Sequence, residues 1–448
     1  VLTMGSDIIA VEAEYGELPG KLHSSPDGRE DEHRRGTVFS TCSLYTTAAY
    51  GAGMLTLPFA VQEAGPWGGL LLLLLGAATS AVSTAVMSVG AAKLHATTYG
   101  ALLEKSTRSE VRVSGVSVVD LYFYVYLSGV VVAFLIFIGD FVPPLTSNVP
   151  ALAWVDRENS IHLVALLFMG PCACMNEMNW MATFGQGSML VVVFTCCVVI
   201  AKSVPQVYDK WDLVVESWNQ PIHFSWASLR ALGCMFYAFD IGSVVPPTAC
   251  EMKDQSLSGL VSAAIYGTVG VAIAYIVLAF SVFFSFLGHE WEDGHVGTRS
   301  DFTENYGDED SWMSICRFLL VWTFVCSSTL AFVPGLKSLY ICVGQFRGLG
   351  DDWEPEMKVR IMMVYGTLVP VALVAAKIPN VGKVVTWLGC VCGAPEILVG
   401  PLLLVAWGHV FKDRLMKVVF AVFAIGTMCL LWASSFEGQA ATLPHRRL

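Results

Sequence analysis

Long apolar stretches alternate with short polar segments along this chain. Residues 68–92 and 257–287 are two such stretches, and neither contains a charged side chain. Because about 20 consecutive apolar residues are needed to cross a bilayer as a helix, each stretch predicts a transmembrane span. Counted in this way, residues 37–435 contain about eleven spans, which predicts an all-α integral membrane protein.

One of these spans has a break in its middle. Residues 37–62 are long enough to cross a bilayer, but Gly51 and Gly53 lie at the centre and Pro58 follows soon after. Glycine and proline weaken or break a helix. Backbone that is broken within a membrane must face protein or a water-filled cavity, so the break indicates a binding site. A kinked structural helix with glycines for close packing is the alternative.

A second span is interrupted in the same way. Residues 228–252 are mostly apolar, with few polar side chains. Gly242, Pro246 and Pro247 interrupt this apolar run. Two interrupted spans, each opening one half of the chain, are typical of transporters built from inverted repeats, with the substrate site between the halves. The second break therefore favours a binding site over a structural kink.

Composition supports a membrane protein and excludes several other classes. The 448 residues are 55% hydrophobic and 14% charged, with a mean hydropathy of +0.60. The net charge of -11 comes from acids in loops, above all between Glu290 and Asp310. We expect that loop to be solvated, or alternatively to attract cations toward an entrance. Nothing suggests a nucleic-acid partner, and the 13 cysteines, all in or beside apolar spans, predict neither disulfides nor a metal site.

The polar ends predict the domain limits and the orientation. Residues 1–36 are expected to form a flexible cytosolic tail, 37–435 the transmembrane domain, and 436–448 a short C-terminal tail. Lys and Arg outside the predicted spans number sixteen on the side of the N-terminal tail and eight on the other. The positive-inside rule then places the N-terminus in the cytosol.

Several short motifs, taken in order, resemble the amino acid/auxin permease superfamily, over nearly all of residues 37–433. The motif Gly51-Ala52-Gly53-Met54-Leu55 with Leu57-Pro58 looks like the family's first-span signature. Thr98 to Glu104 and Ile138-Gly139-Asp140 are similar to segments before and within the third span. The sixth span ends in Glu251-Met252-Lys253-Asp254, like the Glu-Met-x-Asp ending of the family.

The resemblance implies a LeuT-like fold, which has five plus five inverted spans, one extra span, and broken first and sixth helices. It further implies that an amino acid binds at the two breaks. Gly51, Ala52 and Gly53 would offer backbone N–H groups to the substrate carboxylate, and residues 236–239 would surround the amine. The side chains expected to line the pocket are Tyr50, Met54, Phe236, Tyr237 and Phe239, with packing between helices as the alternative role for each.

The coupling ion is less determined by the resemblance. In sodium-coupled relatives an Asn precedes the first Gly of the motif by four residues, where this chain has Thr47, and an eighth-span hydroxyl completes the ion site. Ser327, Ser328 and Thr329 are the candidates for that hydroxyl. Because the amide oxygen is missing, we expect coupling to H⁺, with Na⁺ as the alternative, and no other cofactor.

Two acids within the predicted spans are further candidates. An acid within a membrane is costly and usually functional. Asp240, beside the second break, could pair with a cationic substrate side chain, carry the coupling proton, or cap the broken helix. Glu396, next to Pro395 in the tenth span, could bind a proton or simply face a water-filled crevice. Arg230 and Arg317 are expected to pair with Glu63 and Asp140 or to reach toward the interface.

These features predict a secondary transporter for neutral or cationic amino acids that works by alternating access and is coupled to protons. The alternatives are a membrane nutrient sensor that keeps the binding site, and a sodium-coupled or facilitative transporter. No enzyme motif is present. We expect a monomer in the lipid bilayer of the plasma membrane or of a vacuolar or lysosomal membrane.

Overall fold

The computed structural model describes residues 36–107, 112–113, 116–146, 150–152, 154–175, 179–222, 226–292, 294–307, 309–350, 353–379, 381–406, 425–426 and 428. Within these residues the chain is almost entirely helical, with one two-stranded hairpin, in which β1 (Arg112–Val113) pairs with β2 (Val116–Ser117). The tails at 1–35 and 436–448 lie outside the described residues, as does nearly all of the last predicted span, residues 417–433.

Fifteen α-helices are seen in the described residues. In chain order they are α1 Val38–Ala49, α2 Ala52–Leu94, α3 Tyr99–Thr107, α4 Val118–Thr146, α5 Arg157–Leu163, α6 Gly170–Cys174, α7 Asn179–Asp209, α8 Trp211–Asn219, α9 Trp226–Ala238, α10 Val245–Glu251, α11 Leu257–Ser285, α12 Ser311–Phe346, α13 Met357–Lys377, α14 Val381–Leu388 and α15 Gly400–Ala406. Wider π-helical turns join α5 to α6 at Val164–Met169, and α14 to α15 at Gly389–Gly393 and Pro395–Val399.

Eight segments of the described chain are long and apolar enough to cross a membrane. One of them, α2, divides at Gly65, whose φ of 74° is the left-handed conformation that glycine adopts without strain. Its first part continues α1, and its second part is a separate span. With the segment from α5 to α6 added, the described residues supply ten of the eleven predicted spans.

The helices pack in two groups. In the first, α2 packs extensively against α9 and α11, and α1 packs against α11. In the second, α4 and α12 form the most extensive helix pair of the described residues. The two broken helices, α1 with α2 and α9 with α10, both belong to the first group, so α4 and α12 face the breaks from outside it.

Local signals fix where the first helix begins. Thr37 caps α1: its hydroxyl accepts a hydrogen bond from the Ser40 N–H, and the Ser40 hydroxyl accepts one from the Thr37 N–H. This reciprocal pattern satisfies two N–H groups that a helix end otherwise leaves unpaired. Gly36 pairs through its backbone with Glu251 and Lys253, which brings the start of α1 to the end of α10.

Of the two ion pairs expected from the sequence, one forms and the other does not. Arg230 pairs with Glu63 at 3.0 Å, as one of the expected combinations. Asp140, however, pairs with Arg157 at 2.6 Å and not with Arg317. Arg317 donates instead to the carbonyl oxygens of residues 303 and 306. The difference arises because Arg157 opens α5 beside the end of α4, a proximity that the apolar pattern does not reveal.

The sequence predicted a solvated acidic loop before α12, but part of this loop is buried. Its 3₁₀ turn, Phe302–Asn305, is packed inside, and Asp301 at the start of this turn is only 2% exposed. One Asp301 oxygen accepts hydrogen bonds from the Thr303 N–H and hydroxyl, whereas the other has no partner among the described residues. The loop is also tied to α2, because the Gln62 amide bonds to the backbone of Val296 and Thr298.

Asp301 should make the stability of this loop depend on pH. Burial, and secondarily the negative charge of Glu304, raise the pKa of Asp301 to about 8. The folded protein therefore keeps a proton that the unfolded chain loses at the ordinary aspartate pKa, so the stabilisation is complete at acid pH and declines as the pH rises toward 8. Asp301→Asn, which stays neutral, should remove this part of the decline.

The measurement is the thermal unfolding temperature of the purified protein across the pH range between the two pKa values. We expect the wild type to lose stability with rising pH more steeply than Asp301→Asn. Exposed Glu309→Gln in the same loop is a control that should follow the wild type. Parallel curves for wild type and Asp301→Asn would contradict the assignment.

Candidate functional site

The first break lies between α1 and α2. The Gly51 N–H donates to the carbonyl of Ala49 at 2.6 Å, and Gly51 itself is extended, with φ -133° and ψ -160°. Helix α2 then begins at Ala52, and no side chain caps it. The first N–H groups of a helix have no partner within the helix, and its N-terminal end carries partial positive charge. The start of α2 therefore has N–H groups without a partner in the helix and a partial positive charge.

The two glycines of this break allow close contacts. A Cβ atom on Gly53 would lie 2.5 Å from the Cα of Ala238 on α9, and one on Gly51 would lie 2.6 Å from the Phe134 ring on α4. These separations are shorter than any normal carbon contact. The glycines thus bring the first break against the second break on one side and against α4 on the other.

The second break follows Ala238. Residues 239–241 leave the helix, a 3₁₀ turn occupies Gly242–Val244, and α10 starts at Val245. Pro246 and Pro247 stand in the first turn of α10, where the missing N–H groups cost nothing. The prolines therefore begin the second half-helix, and the break itself falls just before them.

A cavity lies where the two breaks meet α4 and α12. Its volume is about 40 Å³, counted as space open to the centre of a water molecule, and one water needs roughly 10–15 Å³ on this measure. The predicted site residues that line it are Gly51, Ala52, Gly53, Tyr237, Asp240 and Ser327. The lining also includes Ala48, Ala49, Tyr126, Leu127, Val130, Phe134, Ile241, Ser243, Val244 and Ala331.

Four other residues predicted at the pocket are packed beside the cavity and are not part of its lining. Met54 and Phe236 are completely buried, Phe239 is 1% exposed and Tyr50 is 4% exposed. The Phe239 ring packs edge-on against Tyr275, with 5.1 Å between ring centroids. Its carbonyl accepts a hydrogen bond from Ser80 at 2.8 Å, so it is already engaged by α2.

Asp240 and Glu396 lie side by side at the second break. One Asp240 oxygen accepts from the Gly242 N–H at 3.1 Å, and the other accepts from the Tyr126 hydroxyl of α4. Glu396 lies in the π-helical turn Pro395–Val399, 2% exposed, and its carboxyl interacts with that of Asp240. A Cβ atom on Gly242 would lie 2.5 Å from a Glu396 oxygen, so both acids contact this glycine.

No basic side chain neutralises this pair of acids in the described part of the chain. The ion pairs formed there do not include Asp240 or Glu396. Neither carboxyl oxygen of Glu396 has a hydrogen-bond partner among the described residues. The tyrosines around the pair, Tyr99, Tyr122 and Tyr126, are polar but uncharged neighbours.

The four hydroxyl residues proposed for ion coupling point in different directions. Ser327 donates to the carbonyls of Thr47 and Tyr50, at 3.0 Å each, and so reaches the first break. The Thr47 hydroxyl donates to Ser43 within its own helix. Ser328 and Thr329 both donate to the Val325 carbonyl within α12. Of the four side chains, only that of Ser327 lines the cavity.

Sequence reasoning missed the contribution of α4 and α11. Tyr126, Val130 and Phe134 are spaced four residues apart and thus share one face of α4, which lines the cavity. This spacing is visible in the sequence, but α4 is apolar on every face, so the pattern does not show which face meets the breaks. Tyr275 of α11, whose hydroxyl donates to the carbonyls of Ala49 and Ala238 at the two breaks, carried no signal beyond being a tyrosine in an apolar span.

Comparison with known proteins identifies the family and the fold of the chain. A sequence profile described as "Transmembrane amino acid transporter protein" matches residues 34–437. Two curated relatives carry the name "Putative amino acid transporter AAT1". The one from Toxoplasma gondii is 21% identical over 68% of this chain and 40% of its own length. The one from Plasmodium berghei is 22% identical over 69% of this chain and 48% of its own length. The aligned part thus spans less than half of either relative.

Solved structures share the fold. MhsT in complex with L-phenylalanine superimposes with a TM-score of 0.58 at 11% identity, covering 89% of this chain and 98% of its own. A manganese transporter of Eremococcus coleocola gives a TM-score of 0.54 at 11% identity, with 96% and 91% covered. The LeuT-like class predicted from the sequence is thereby confirmed. Together with the eight long apolar helices of the described residues, the comparisons identify a multi-pass integral membrane protein. The match over residues 34–437 shows that this chain belongs to the transmembrane amino acid transporter family.

Proposed function

We propose that this protein moves a neutral or cationic amino acid across its membrane by alternating access, driven by a proton that Asp240 and Glu396 share. The observation that carries the proposal is the buried acid pair beside a cavity at two broken helices. Amino acid transport is the activity of the family; the coupling ion, the binding residues and the mode of transport are the proposal.

The two poles of an amino acid match the two sides of the cavity. The N-terminal end of α2 offers the N–H groups of Ala52 and Gly53 to the substrate carboxylate. The C-terminal end of α9 carries partial negative charge, and Asp240 follows it. The substrate amino group would lie on that side, as in transporters that bind substrate at discontinuous helices.

The acid pair supports proton coupling for an electrostatic reason. Two adjacent carboxylates cannot both stay ionised in a buried site where the described residues place no basic side chain, so one of them holds a proton. Tyr126 on α4 donates to Asp240 across the boundary between the two helix groups. A change in the proton at Asp240 would therefore alter a contact between parts that alternating access must move.

Uptake by purified protein in liposomes tests the proposal. Neutral and cationic amino acids, each radioactively labelled, would be offered one at a time with an inward proton gradient, an inward sodium gradient, or neither. We expect at least one neutral or cationic amino acid to accumulate only with the proton gradient. Uptake that equilibrates but never accumulates would indicate a facilitative transporter. Binding without any flux would contradict transport and favour a nutrient sensor.

A further inference from the structure

We infer that Tyr99 is a positioning residue for the acid Glu396, because its hydroxyl replaces a backbone N–H that Pro401 lacks. In this way it holds the π-helical turn that keeps the Glu396 carboxyl beside Asp240. The inference rests on the proposed function for its transport readout and deepens it, because it assigns a role to a side chain outside the acid pair. It also explains a use for the segment from Thr98 to Glu104, which resembles a family motif but does not line the cavity.

The backbone carbonyl of Glu396 has neither of the usual donors in its own helix. A carbonyl accepts from the N–H four residues further on in an α-helix, and from the N–H five residues further on in a π-helix. The N–H four residues on belongs to Gly400, and it donates to the Pro395 carbonyl instead. The residue five on is Pro401, which has no N–H. The carbonyl of Glu396 therefore needs a donor from another part of the chain.

Tyr99 at the start of α3 supplies that donor. Its hydroxyl donates to the Glu396 carbonyl at 2.7 Å, and both residues are buried. A buried carbonyl without a donor is costly, so this hydrogen bond matters more than one at the surface would. Gly400 makes room for the hydroxyl, because a Cβ atom at that position would overlap the Tyr99 oxygen. The turn and the tyrosine are therefore fitted to each other.

Helix α4 fixes the direction of the tyrosine ring. The rings of Tyr99 and Phe123 pack together with 4.3 Å between their centroids. Phe123 precedes Tyr126 by three residues and so lies on the same face of α4. Tyr126 in turn donates to Asp240. One face of α4 therefore supports both acids, Asp240 directly and Glu396 through Tyr99.

The position of the Glu396 carboxyl depends on its backbone turn. Among the described residues, neither of its oxygens has a hydrogen-bond partner and no basic side chain forms an ion pair with it. The titratable groups that face it are Asp240, Tyr99, Tyr122, Tyr126 and Cys392. A change in the turn would therefore move the carboxyl relative to Asp240.

The same arrangement occurs a second time, away from the acids. The π-helical turn Val164–Met169 is also followed by a Gly-Pro pair, Gly170 and Pro171, and the glycine N–H again donates to the carbonyl five residues before it. The Leu166 carbonyl thus has neither usual donor, and it accepts from the Tyr365 hydroxyl of α13 at 3.1 Å. A Cβ atom on Gly170 would lie 2.7 Å from the Tyr365 ring. Two π-helical turns thus recruit a tyrosine for the same reason, and this second turn carries no acid.

The experiment compares Tyr99→Phe with Tyr365→Phe as its matched control, because each removes a hydroxyl that donates to a π-helical turn. The first readout is the pH dependence of proton-driven uptake of the labelled amino acid that the wild type accumulates most. The second is the thermal unfolding temperature at several pH values, which needs no substrate. Pro401→Ala is also combined with Tyr99→Phe, since alanine restores an N–H five residues after Glu396.

We expect both tyrosine variants to unfold at a lower temperature than the wild type, because each leaves a buried carbonyl without its donor. Accumulation should fall by about fivefold or more in Tyr99→Phe but not in Tyr365→Phe. The pH of half-maximal uptake in Tyr99→Phe should move toward acid by about 0.7 unit or more, as a fivefold lower proton affinity requires, because carboxyls held apart share a proton less strongly. Gly400→Ala, which displaces the Tyr99 hydroxyl, should repeat this pattern. Adding Pro401→Ala should restore uptake and unfolding temperature to Tyr99→Phe.

The results separate the inference from the proposed function. A wild-type pH profile in Tyr99→Phe would overturn the inference, as would an equal shift in Tyr365→Phe, which would reflect a general loosening of the protein. A loss that Pro401→Ala does not restore would also overturn it, because the hydroxyl would not be replacing the N–H. If the wild type accumulates no amino acid with a proton gradient, the proposed function fails. The unfolding temperatures of Tyr99→Phe with and without Pro401→Ala, and their dependence on pH, still decide whether the hydroxyl replaces the N–H and acts on Glu396.

Discussion

Replacement of Asp240 by Asn is expected to abolish proton-driven accumulation of substrate while exchange of substrate across the membrane continues. The amide has almost the shape of the carboxyl: its oxygen can still accept from the Gly242 N–H, and its NH2 group can donate to the oxygen of the Tyr126 hydroxyl. It cannot take up or release a proton. Accumulation should fall by about tenfold or more, a typical size for coupling between two ligands.

The measurement is uptake into liposomes with a proton gradient, beside counterflow exchange without one. Glu396→Gln should give the same pattern, because the proton is shared by the pair. Asp254→Asn is the matched control: Asp254 also accepts a hydrogen bond from a backbone N–H two residues later, but it is exposed outside the breaks.

Other outcomes would assign Asp240 a different role. If only the uptake of cationic amino acids falls, Asp240 selects the substrate side chain. If accumulation and exchange are both unchanged, its bond to Gly242 is a helix cap and the proton hypothesis is wrong. If both fall equally, the residue is needed for binding, and proton coupling would need another carrier.

The positions of the breaks could be predicted from the sequence because their causes are local. Gly51 and Gly53 have no side chain at points where helices touch. Pro246 and Pro247 favour the start of a helix because their fixed φ angle suits its first turn. Asp240 attracts attention for an equally local reason, since a charge is costly in an apolar span. None of these conclusions needs knowledge of the other helices.

The partners of these residues could not be predicted, because they depend on contacts between distant parts of the chain. Glu396 meets Asp240 from 156 positions further along, and Tyr275 reaches a carbonyl 226 positions before it. Spans that are apolar on all sides give no hydrophobic face from which to infer their rotation. The burial of Asp301 was missed for the same reason: the acids of its loop look solvated until the loop is packed.

Replacement of Gly53 by Ala is expected to have the second large effect, on both transport and stability. The added Cβ would lie 2.5 Å from the Cα, 2.8 Å from the Cβ and 2.9 Å from the N of Ala238. These are mostly backbone atoms, which cannot turn aside, so α2 must move away from α9. Overpacking of this kind costs about 1–3 kcal/mol. The movement would also shift the N–H groups at the start of α2 away from Asp240, so uptake should fall by about tenfold or more.

Two further glycines make the test of Gly53→Ala specific, with uptake and thermal unfolding as the measurements. Gly51→Ala should have a smaller effect, because its Cβ would meet the Phe134 ring, which can turn. Gly270→Ala on α11 has open space around it and should be neutral or slightly stabilising, because alanine favours the helix. If Gly53→Ala resembled Gly270→Ala, the close approach of α2 and α9 would not be what holds the two breaks together. The graded order, with Gly53 the most sensitive, would instead show that transport depends on backbone contact between the breaks.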